Sequence, residues 1–524
     1  MIMNLNDLIL TIIREKVNSR HQLEKLMRQY AKEKVTPIPK KYQLLRQYQM
    51  LLKKGRLTKQ PWLEELLLAK PVRTLSGVTP LTVLLKPYPC PGECIYCPDQ
   101  AGIPKSYLAD EPAVLRAKKL DFNPFEQVKY RLWVFKLMGH QVSKIELIIL
   151  GGTFSSYPKQ YRVAFIKKCF DACNQQKSVN LSAAQKANQS ARRKIIGITV
   201  ETRPDLVNEQ EIKFWRQLGV TRVELGVQSL YPVILKTIRR GHALSAIVKA
   251  TKLLKDNGFK VCYHLMPGLP GSDFTKDLAM FKKTFSNSHF RPDFVKIYPC
   301  VVLKESPLYQ DWLAGKFRPL EDRQLVKLLV SIKKNIPEYV RINRLGRDIP
   351  IANIVAGYRY SHIREMVQEE LQKQKSSCQC IRCREIREGK FKDNNLKLKI
   401  SRYPASGGRE FFLQIIDSDN RLHALLRLRF PGKNRQDVFP VLKGAALVRE
   451  LHTFGQSLAL TERKKPASQH RGLGKKLLEE AEKISRQNGF LKVAVIAGVG
   501  VRDYYRRLGY QLRQTYVIKR LLSD

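Results

Sequence analysis

Three cysteines close together in the chain have a spacing that could hold a redox-active metal cluster. Cys90, Cys94 and Cys97 form the pattern C-x3-C-x2-C. Three thiolates this close can bind one 4Fe-4S cluster and leave its fourth iron without a protein ligand. That open iron can chelate S-adenosylmethionine, whose carbon–sulfur bond is then cleaved by one electron to give a 5′-deoxyadenosyl radical. A structural zinc knuckle is the alternative, but zinc prefers four ligands and no fourth Cys or His stands near in the sequence.

A second group of cysteines lies further along the chain. Cys378, Cys380 and Cys383 form the pattern C-x-C-x2-C within a basic stretch. In a reducing compartment clustered thiols indicate metal binding, so we interpret the group as a structural zinc site between two large domains. A second iron–sulfur cluster and free cysteines in a loop are the alternatives. The fourth zinc ligand stays open, with these candidates: Cys300, His362, Cys169 and Cys173.

The elements around the first group predict a barrel-like sheet. From about residue 71, short apolar runs at 81–85, 145–150, 195–200, 222–227, 260–265 and 294–298 alternate with helical patterns. This alternation predicts parallel βα units, and about six of them indicate a full or partial barrel. The three cysteines follow the first predicted strand, at the face where such barrels place their active sites.

Polar residues and glycines also follow the other predicted strands. Gly151 and Gly152 come after the second strand, Glu201 after the third and Gln228 after the fourth. Because the carboxyl ends of parallel strands meet at one edge, we expect these residues to converge on one pocket with the cysteines. Glycine backbone would let the amino group of a ligand approach closely.

From about residue 396 the pattern changes to that of a second domain. Predicted strands at 411–416, 423–430 and 445–453 precede a helix at 472–488 and a strand at 492–496, an order that resembles an acyl-CoA-dependent N-acetyltransferase. The glycines of Gln469-x-x-Gly-x-Gly474 open the helix, and a helix N-terminus favours an anion such as the pyrophosphate of coenzyme A. Tyr504 and Tyr505 could contact the acetyl thioester or the sulfur, or simply pack on a helix.

The charge of the chain constrains its partners. The 524 residues carry a formal net charge of +49, and 43% hydrophobic content is enough for two or three cores. Nucleic acid is the first expected partner and an anionic membrane surface the second. The alternative is that the charge reflects a cytoplasm whose proteins are generally basic and indicates no particular partner. Residues 1–70 read as amphipathic helices with a basic face, either an RNA-binding arm or a solvated surface. Without a signal peptide or a run of about 20 apolar residues, we expect a cytoplasmic protein that does not enter membranes.

Taken together, these segments resemble a known family. The motifs are RTLSGV from Arg73, CPGECIYCP from Cys90, LGGTF from Leu150, ETRPD from Glu201, ELGVQS from Glu224, RELH from Arg449, QHRGLG from Gln469 and VRDYYRRLGY from Val501. They resemble the catalytic subunit of Elongator, a radical S-adenosylmethionine and acetyltransferase enzyme that carboxymethylates wobble uridine in tRNA. The chain departs from that family at Cys300, where the family often has Thr, and at Tyr88, where it often has His.

The resemblance implies an α/β fold: a partial (β/α) barrel of radical S-adenosylmethionine type followed by a GNAT acetyltransferase-like α/β domain. We expect a basic helical tRNA-binding region at 1–70, the radical domain at 71–340, a zinc-binding connector at 341–395 and the acetyl-CoA domain at 396–524.

It also implies roles for single residues. Cys90, Cys94 and Cys97 would bind the cluster, and Lys144 would reach acetyl-CoA from the radical domain. The remaining acetyl-CoA contacts would be Glu450, Leu451, His452, Thr453, Leu473, Gly474, Lys475 and Tyr505. The radical would take hydrogen from the acetyl methyl group, and the carbon radical would add to carbon 5 of uridine. Thioester hydrolysis would leave a carboxymethyl group and free CoA, and the Cys378 group would match the zinc site of bacterial and archaeal members.

Two other functions stay open at this point. One is a protein lysine acetyltransferase with an unused cluster, although so basic a protein would repel a lysine-rich acceptor. The other is a metal-stabilised tRNA-binding scaffold without turnover. The expected partner is the anticodon stem-loop of tRNA, whose unpaired bases are easily extruded, and self-association is undecided.

Overall fold

The middle of the chain forms a parallel sheet, as the alternating pattern predicts. The computed structural model describes residues 5–68, 77–140, 142–386, 395–455 and 472–521. Seven strands pair in the order β1-β2-β3-β4-β5-β6-β8, each parallel to its neighbours. Their bounds are β1 Val78–Leu84, β2 Lys144–Leu150, β3 Lys194–Thr202, β4 Val220–Gln228, β5 Lys260–Leu265, β6 Phe294–Ile297 and β8 Arg341–Leu345. The partial barrel is confirmed, and β8 is a strand that the sequence did not predict.

Helices connect these strands and cover the outside of the barrel. They are α5 Pro112–Lys118, α6 Pro124–Leu137, α7 Lys159–Asn174, α8 Leu181–Ser190, α9 Glu209–Leu218, α10 Pro232–Thr237, α11 Leu244–Asp256, α12 Phe274–Ser286, α13 Leu308–Leu313, α14 Asp322–Lys334, α15 Ile363–Lys373 and α16 Ile381–Arg384. Two short strands, β7 Val302–Leu303 and β9 Ile354–Ala356, pair beside the barrel. Helix α9 shows how local sequence sets such bounds: the Asn208 side chain caps its first turn, and Gly219 ends it at a φ of 90°.

The N-terminal region is helical, as the apolar spacing indicates. Its helices are α1 Asn6–Arg14, α2 Arg20–Glu33, α3 Lys41–Lys53 and α4 Pro61–Leu67. They share a small hydrophobic core of their own, in which Ile9, Leu23, Leu44 and Leu63 are fully buried. Among the described helices, none combines the length and the hydrophobicity that crossing a bilayer requires.

A second sheet follows, in the order β10-β11-β12-β13-β14-β16-β15. Its elements are β10 Lys397–Ala405, β11 Gly408–Ile416, β12 Leu422–Phe430, β13 Ala445–Thr453, α17 Leu473–Gln487, β14 Lys492–Val495, α18 Arg502–Arg506, β15 Gln511–Arg513 and β16 Tyr516–Arg520. Only β13 and β14 pair in parallel. One face of the sheet packs on the barrel, through Phe412, Leu425 and Tyr516, and the other face packs on α17.

A group of buried ionic side chains, which we call the interface network, joins the two sheets. Its four cations and four carboxylates are Lys255, Arg427, Arg429, Arg449, Asp256, Asp293, Glu410 and Glu450. Arg449 makes three contacts at once: with Asp293 (2.8 Å), with Glu410 (3.0 Å) and with the carbonyl of Phe259 (2.7 Å). Lys255 and Asp256 end α11 and Asp293 precedes β6, whereas the other five members lie on β11, β12 and β13, so the network links the amino ends of the barrel strands to the second sheet.

Candidate active site

The loop after β1 carries the first cysteine group and is anchored on both sides. The amide of Ile95 donates to the carbonyl of Ile238 (3.2 Å), and the carbonyl of Ile95 accepts from Leu308 (2.8 Å). Cys94 is buried, while Cys90 and Cys97 are partly exposed. These backbone bonds fix the loop over the carboxyl ends of the strands.

A cavity of about 700 Å³ opens beside this loop. The residues predicted from the strand ends all line it with the cysteines: Cys90, Cys94, Cys97, Gly151, Gly152, Glu201 and Gln228. Its volume is typical of a small-molecule or cofactor site. The structure therefore brings the predicted strand-end residues together at one place.

Glycine is required in the turn after β2. Gly151 and Gly152 have φ angles of 130° and 83°, which side chains of L residues rarely adopt. A Cβ on Gly151 would also lie 2.8 Å from the Cβ of Leu85. The next residue, Thr153, places its hydroxyl 3.6 Å from the sulfur of Cys90. The turn thus brings bare backbone to the edge of the cysteine loop.

Charged side chains fill the barrel below the cavity. Lys296 pairs with Glu201 at 3.2 Å and also contacts Glu224, while His264 lies 2.8 Å from Glu224. Burial by itself would raise the pKa of Glu224, but Lys296 and His264 lower it well below its usual value. The phenol of Tyr107 donates to Glu201 at 3.3 Å. Glu201 is therefore held as an acceptor at the floor of the cavity.

The buried polar atoms of the cavity wall that have no hydrogen-bond partner within the described chain include Oε1 of Gln228, an acceptor, and Nη1 of Arg203, a donor. The wall carries eight basic residues, namely Lys105, Arg116, Arg131, Arg203, Arg240, Lys296, Arg344 and Arg347, against four acidic ones, Glu111, Glu201, Glu224 and Asp348. Hydrogen-bond donors and acceptors without partners in a basic cavity fit a ligand that has both an amino group and anionic groups. S-adenosylmethionine and a thiolate-bound cluster together have such groups.

The two cysteine groups differ in how compact they are. The sulfurs of Cys378, Cys380 and Cys383 all lie within 4.8 Å of one another, whereas Cys90, Cys94 and Cys97 do not form so compact a group. A single zinc ion draws its sulfurs close together, but three thiolates on three irons of a cluster stand further apart. The geometry thus favours one ion for the former group and a cluster for the latter.

Burial affects the chemistry of the loop cysteines. Burial, and next the neighbouring Cys94, raises the pKa of Cys97 to about 12. The Cys97 sulfur therefore keeps its proton at neutral pH unless a metal displaces it.

The compact group follows α15 and is tied to the barrel edge. The amide of Ile381 donates to the carbonyl of Val340 (2.9 Å), and Arg341 pairs with Glu385 (2.6 Å). Within the described chain, none of the proposed fourth ligands joins the three sulfurs. His362 instead lies before α15 with its ring against Tyr360. The structure therefore brings together three of the expected ligands and leaves the fourth unassigned.

The second sheet opens where acetyl-CoA is expected. Strands β13 and β14 pair only from Ala445 to Val448, so residues 450–453 have no strand partner on that side among the residues that the structure describes. The start of α17 faces this gap: a Cβ on Gly474 would lie 3.1 Å from the Tyr504 hydroxyl and 3.7 Å from Thr453. The structure thus brings Leu451, Thr453, Gly474 and Tyr504 together.

The other expected acetyl-CoA residues surround this group at different depths. Leu473 and Tyr505 are buried in the core of the second sheet, and Lys475 is exposed and pairs with Glu479. Burial lowers the pKa of His452 to about 4, so its ring is neutral at pH 7. Gln469, His470 and Arg471 lie outside the described residues, as does the segment 73–76 of the first motif.

Lys144 is the first residue of β2 and lies at the amino edge of the barrel. The gap beside β13 lies at the same edge, because Arg427 packs on Phe294 and Arg449 binds the carbonyl of Phe259, each at the start of a barrel strand. The cysteine loop is at the opposite edge. With strands of up to nine residues, the two edges are about 25 Å apart.

Several residues that line the cavity could not be identified from the sequence alone. Arg344 lies near the end of β8, the strand that was not predicted, and Arg347 follows that strand and reaches Glu111 at 3.0 Å. Arg240 lies in the loop between α10 and α11 and reaches the cavity only through the fold. Recognition of β8 would have identified the first two as strand-end residues.

Comparisons with known proteins agree with this geometry. A model of the radical SAM superfamily matches residues 88–280, and a model of the radical SAM C-terminal domain matches residues 292–373. A radical SAM domain implies a 4Fe-4S cluster and S-adenosylmethionine, and the first cysteine group lies inside the matched segment.

Relatives and a solved structure extend the match into the second sheet. The chain is 44% identical over 468 residues to a tRNA uridine(34) acetyltransferase of Methanocaldococcus jannaschii, covering 86% of each protein. It is 38% identical over 470 residues to the Elongator complex protein 3 of Drosophila melanogaster, covering 86% of this chain and 85% of that protein. An Elp3 structure from Methanocaldococcus infernus with an N-terminal deletion matches at a TM-score of 0.75 and 40% identity, over 86% of this chain and 100% of that one. The chain therefore belongs to the family of tRNA uridine(34) acetyltransferases and Elongator complex protein 3.

Proposed function

We propose that this protein modifies the wobble uridine of tRNA, building a carboxymethyl group on carbon 5 from the acetyl group of acetyl-CoA. The observation that carries the proposal is the basic cavity in which the cysteine loop, Gly151, Glu201 and Gln228 meet. The names of the relatives support tRNA as the substrate. The net charge of +49 supports a polyanionic partner.

The cavity residues would hold the cofactors. Cys90, Cys94 and Cys97 would ligate the cluster, which when bound supplies the electron that cleaves S-adenosylmethionine to its adenosyl radical. Backbone at Gly151 and Gly152 would accept the amino group of the cofactor. The unmet Oε1 of Gln228 and the carboxylate of Glu201 would accept from its hydroxyl or amino groups.

The gap beside β13 would hold acetyl-CoA. Backbone at 450–453, which has no β14 partner within the described part of the chain, would pair with the amide groups of the pantetheine arm, and the start of α17 would offer N–H groups to the pyrophosphate. Tyr504 would contact the thioester end, and Lys144 at the neighbouring barrel edge would reach the same ligand. Glu450 is kept ionised by Arg427, which opposes the effect of burial and lowers its pKa.

One rigid chain would then serve two reactants. The interface network fixes the second sheet against the barrel, so the acetyl group would have to cross the roughly 25 Å between the two edges to meet the adenosyl radical. An anticodon base would have to leave its stack to enter a cavity of about 700 Å³, and unpaired loop bases do so at low cost. After transfer of the two-carbon unit, thioester hydrolysis would leave the carboxymethyl group and free CoA.

We propose zinc for the group of Cys378, Cys380 and Cys383. Its support is the short separation of the three sulfurs. A zinc ion there would tie the chain after α15 to the edge of the barrel, because Ile381 already binds Val340. Its role would be structural.

The test is an anaerobic reaction of the cluster-loaded protein with tRNA, S-adenosylmethionine, dithionite and acetyl-CoA, followed by mass spectrometry of the tRNA nucleosides. We expect 5-carboxymethyluridine and 5′-deoxyadenosine. Cys94→Ala should abolish both products and iron binding while tRNA binding persists. Cys173→Ala, which removes a buried thiol from α7 outside the cavity, is the matched control and should keep activity.

The outcomes separate the functions. Absence of both products from a protein that carries four irons would refute the proposal. Formation of 5′-deoxyadenosine with unmodified tRNA would keep the radical chemistry and reject the acceptor. Acetyl-lysine on a protein, formed without S-adenosylmethionine, would favour the lysine acetyltransferase.

A further inference from the structure

Two buried arginines contact the loop that carries the first cysteine group. Arg240 is 6% exposed, and its Nη1 lies 3.4 Å from the sulfur of Cys94. Arg203 is 4% exposed, and its Nη1 has no hydrogen-bond partner within the described chain. That atom lies against the loop backbone, since a Cβ on Gly92 would be only 2.3 Å from it. A guanidinium N–H is thus directed at the cysteine loop from each arginine.

The backbone around Arg240 is shaped to receive its guanidinium group. The carbonyl of Gly226 in β4 accepts from Nε (3.1 Å) and Nη2 (2.6 Å) of Arg240. A Cβ on Gly226 would lie 2.6 Å from that Nη2. Glycine at 226 therefore allows the arginine to reach Cys94, as glycine at 92 does for Arg203. The positions of both guanidinium groups are built into the fold.

The charge of Arg240 is not cancelled by a direct partner. Its hydrogen bonds in the described structure go to a neutral carbonyl and to the Cys94 sulfur. Arg203 differs, because its Nε pairs with Asp205 at 3.1 Å. Arginine stays charged at every physiological pH. A full positive charge therefore lies within hydrogen-bond distance of one of the predicted cluster ligands.

We propose that Arg240, assisted by Arg203, is a positioning residue that raises the reduction potential of the cluster bound at Cys90, Cys94 and Cys97. The inference rests on the proposed function, since it needs the cluster. Reduction adds one electron from an external one-electron donor to an already anionic assembly, and no bond forms or breaks in that step. A nearby cation and an N–H···S bond stabilise the more negative reduced state more than the oxidised one. Hydrogen bonds to ligand sulfurs are a recognised means of setting such potentials.

The test compares the reduction potential of the cluster in the reconstituted full-length wild type with that in its variants. Electron paramagnetic resonance at fixed potentials measures the reduced fraction of the cluster. Arg240→Gln keeps a neutral N–H donor and removes the charge, so the ratio of reduced to oxidised cluster should fall about tenfold at a given potential, a shift of about 59 mV for one electron. Arg240→Lys restores the charge and should recover most of the shift. Arg216→Gln is the matched control, because Arg216 is also buried but binds the carbonyls of Val220 and Thr515 instead.

The measured potentials and iron contents distinguish the possible roles of Arg240. Equal potentials for wild type and Arg240→Gln, with four irons in both, would overturn the inference and leave the proposed function intact. A potential for Arg240→Lys as low as that of Arg240→Gln would overturn it too, since charge would then not be the cause. Loss of iron from both variants would make Arg240 a structural support of the loop, contrary to the inference. Failure of the wild type to take up four irons would refute the proposed function itself.

Discussion

Arg449 gives the sharpest test of the interface network. Its guanidinium contacts two buried carboxylates, Asp293 and Glu410, and one buried carbonyl. Arg449→Met removes the cation and keeps much of its volume. Removing one partner of a buried ion pair costs about 3–5 kcal/mol, because the charge left behind is not solvated. Lys255 remains 3.7 Å from both carboxylates, Arg427 remains 3.6 Å from Asp293 and Arg429 remains 3.0 Å from Glu410, so we expect the loss at the lower end, about 3 kcal/mol.

Equilibrium urea unfolding of the full-length protein at pH 7 measures this loss. Arg513→Met is the control: Arg513 is exposed on β15, and its replacement should change stability by no more than about 0.5 kcal/mol. Adding Asp293→Asn to Arg449→Met should cost less than the sum of the two single changes, since each already breaks the same pair. A free energy of unfolding for Arg449→Met within about 1 kcal/mol of wild type would refute the reasoning.

Three further predictions concern metals and pH. Cys380→Ser should lose zinc and keep four irons, whereas Cys94→Ser should do the reverse, as measured by elemental analysis. Burial lowers the pKa of His452 to about 4, so as the pH falls from about 6.5 to 4 the unfolded chain binds a proton before the folded chain does. Over that range the free energy of unfolding of wild type should fall by up to about 3 kcal/mol. His452→Gln should not show this loss. Burial raises the pKa of Asp277 to about 6, so the folded chain protonates first, and wild type should gain up to about 3 kcal/mol from pH 6 to 4 in urea unfolding, a gain absent from Asp277→Asn.

The barrel could be predicted because its buried strands are continuous apolar runs, as parallel strands covered on both faces must be. Strand β8 could not, since three of its five residues, Arg341, Asn343 and Arg344, are polar. The structure explains the polar positions: Arg341 pairs with Glu385, and Arg344 lines the cavity. A strand at the edge of the sheet that also builds a charged site lacks the pattern of a core strand.

The polar, low-complexity stretch 174–194 also contains structure that its composition does not reveal. Its sequence favours a surface segment, and residues 181–190 form α8 there. Asn188 is fully buried there, donating to the carbonyl of Arg193 (3.0 Å) and accepting from the amide of Ile195 (2.7 Å). A buried amide that replaces backbone partners looks like a loop residue in sequence.

The candidate site also contains some residues that could be predicted from the sequence and others that could not. Gly151, Glu201 and Gln228 could be predicted because the ends of parallel strands converge. Arg240 could not, because its place beside Cys94 depends on a loop between two helices and on the missing side chain at Gly226.

The interface network also bears on how the protein is made. Asp256 and Asp293 of the barrel bind Arg429 and Arg449, which follow them by 173 and 156 residues. At about 5–20 residues per second, a ribosome needs roughly 8–35 s to supply those partners. Until then, Asp256 and Asp293 have Lys252 and Lys255 of the barrel beside them, and the surface that the second sheet covers is exposed to water. We therefore expect the barrel to reach its full stability only after the second sheet has emerged.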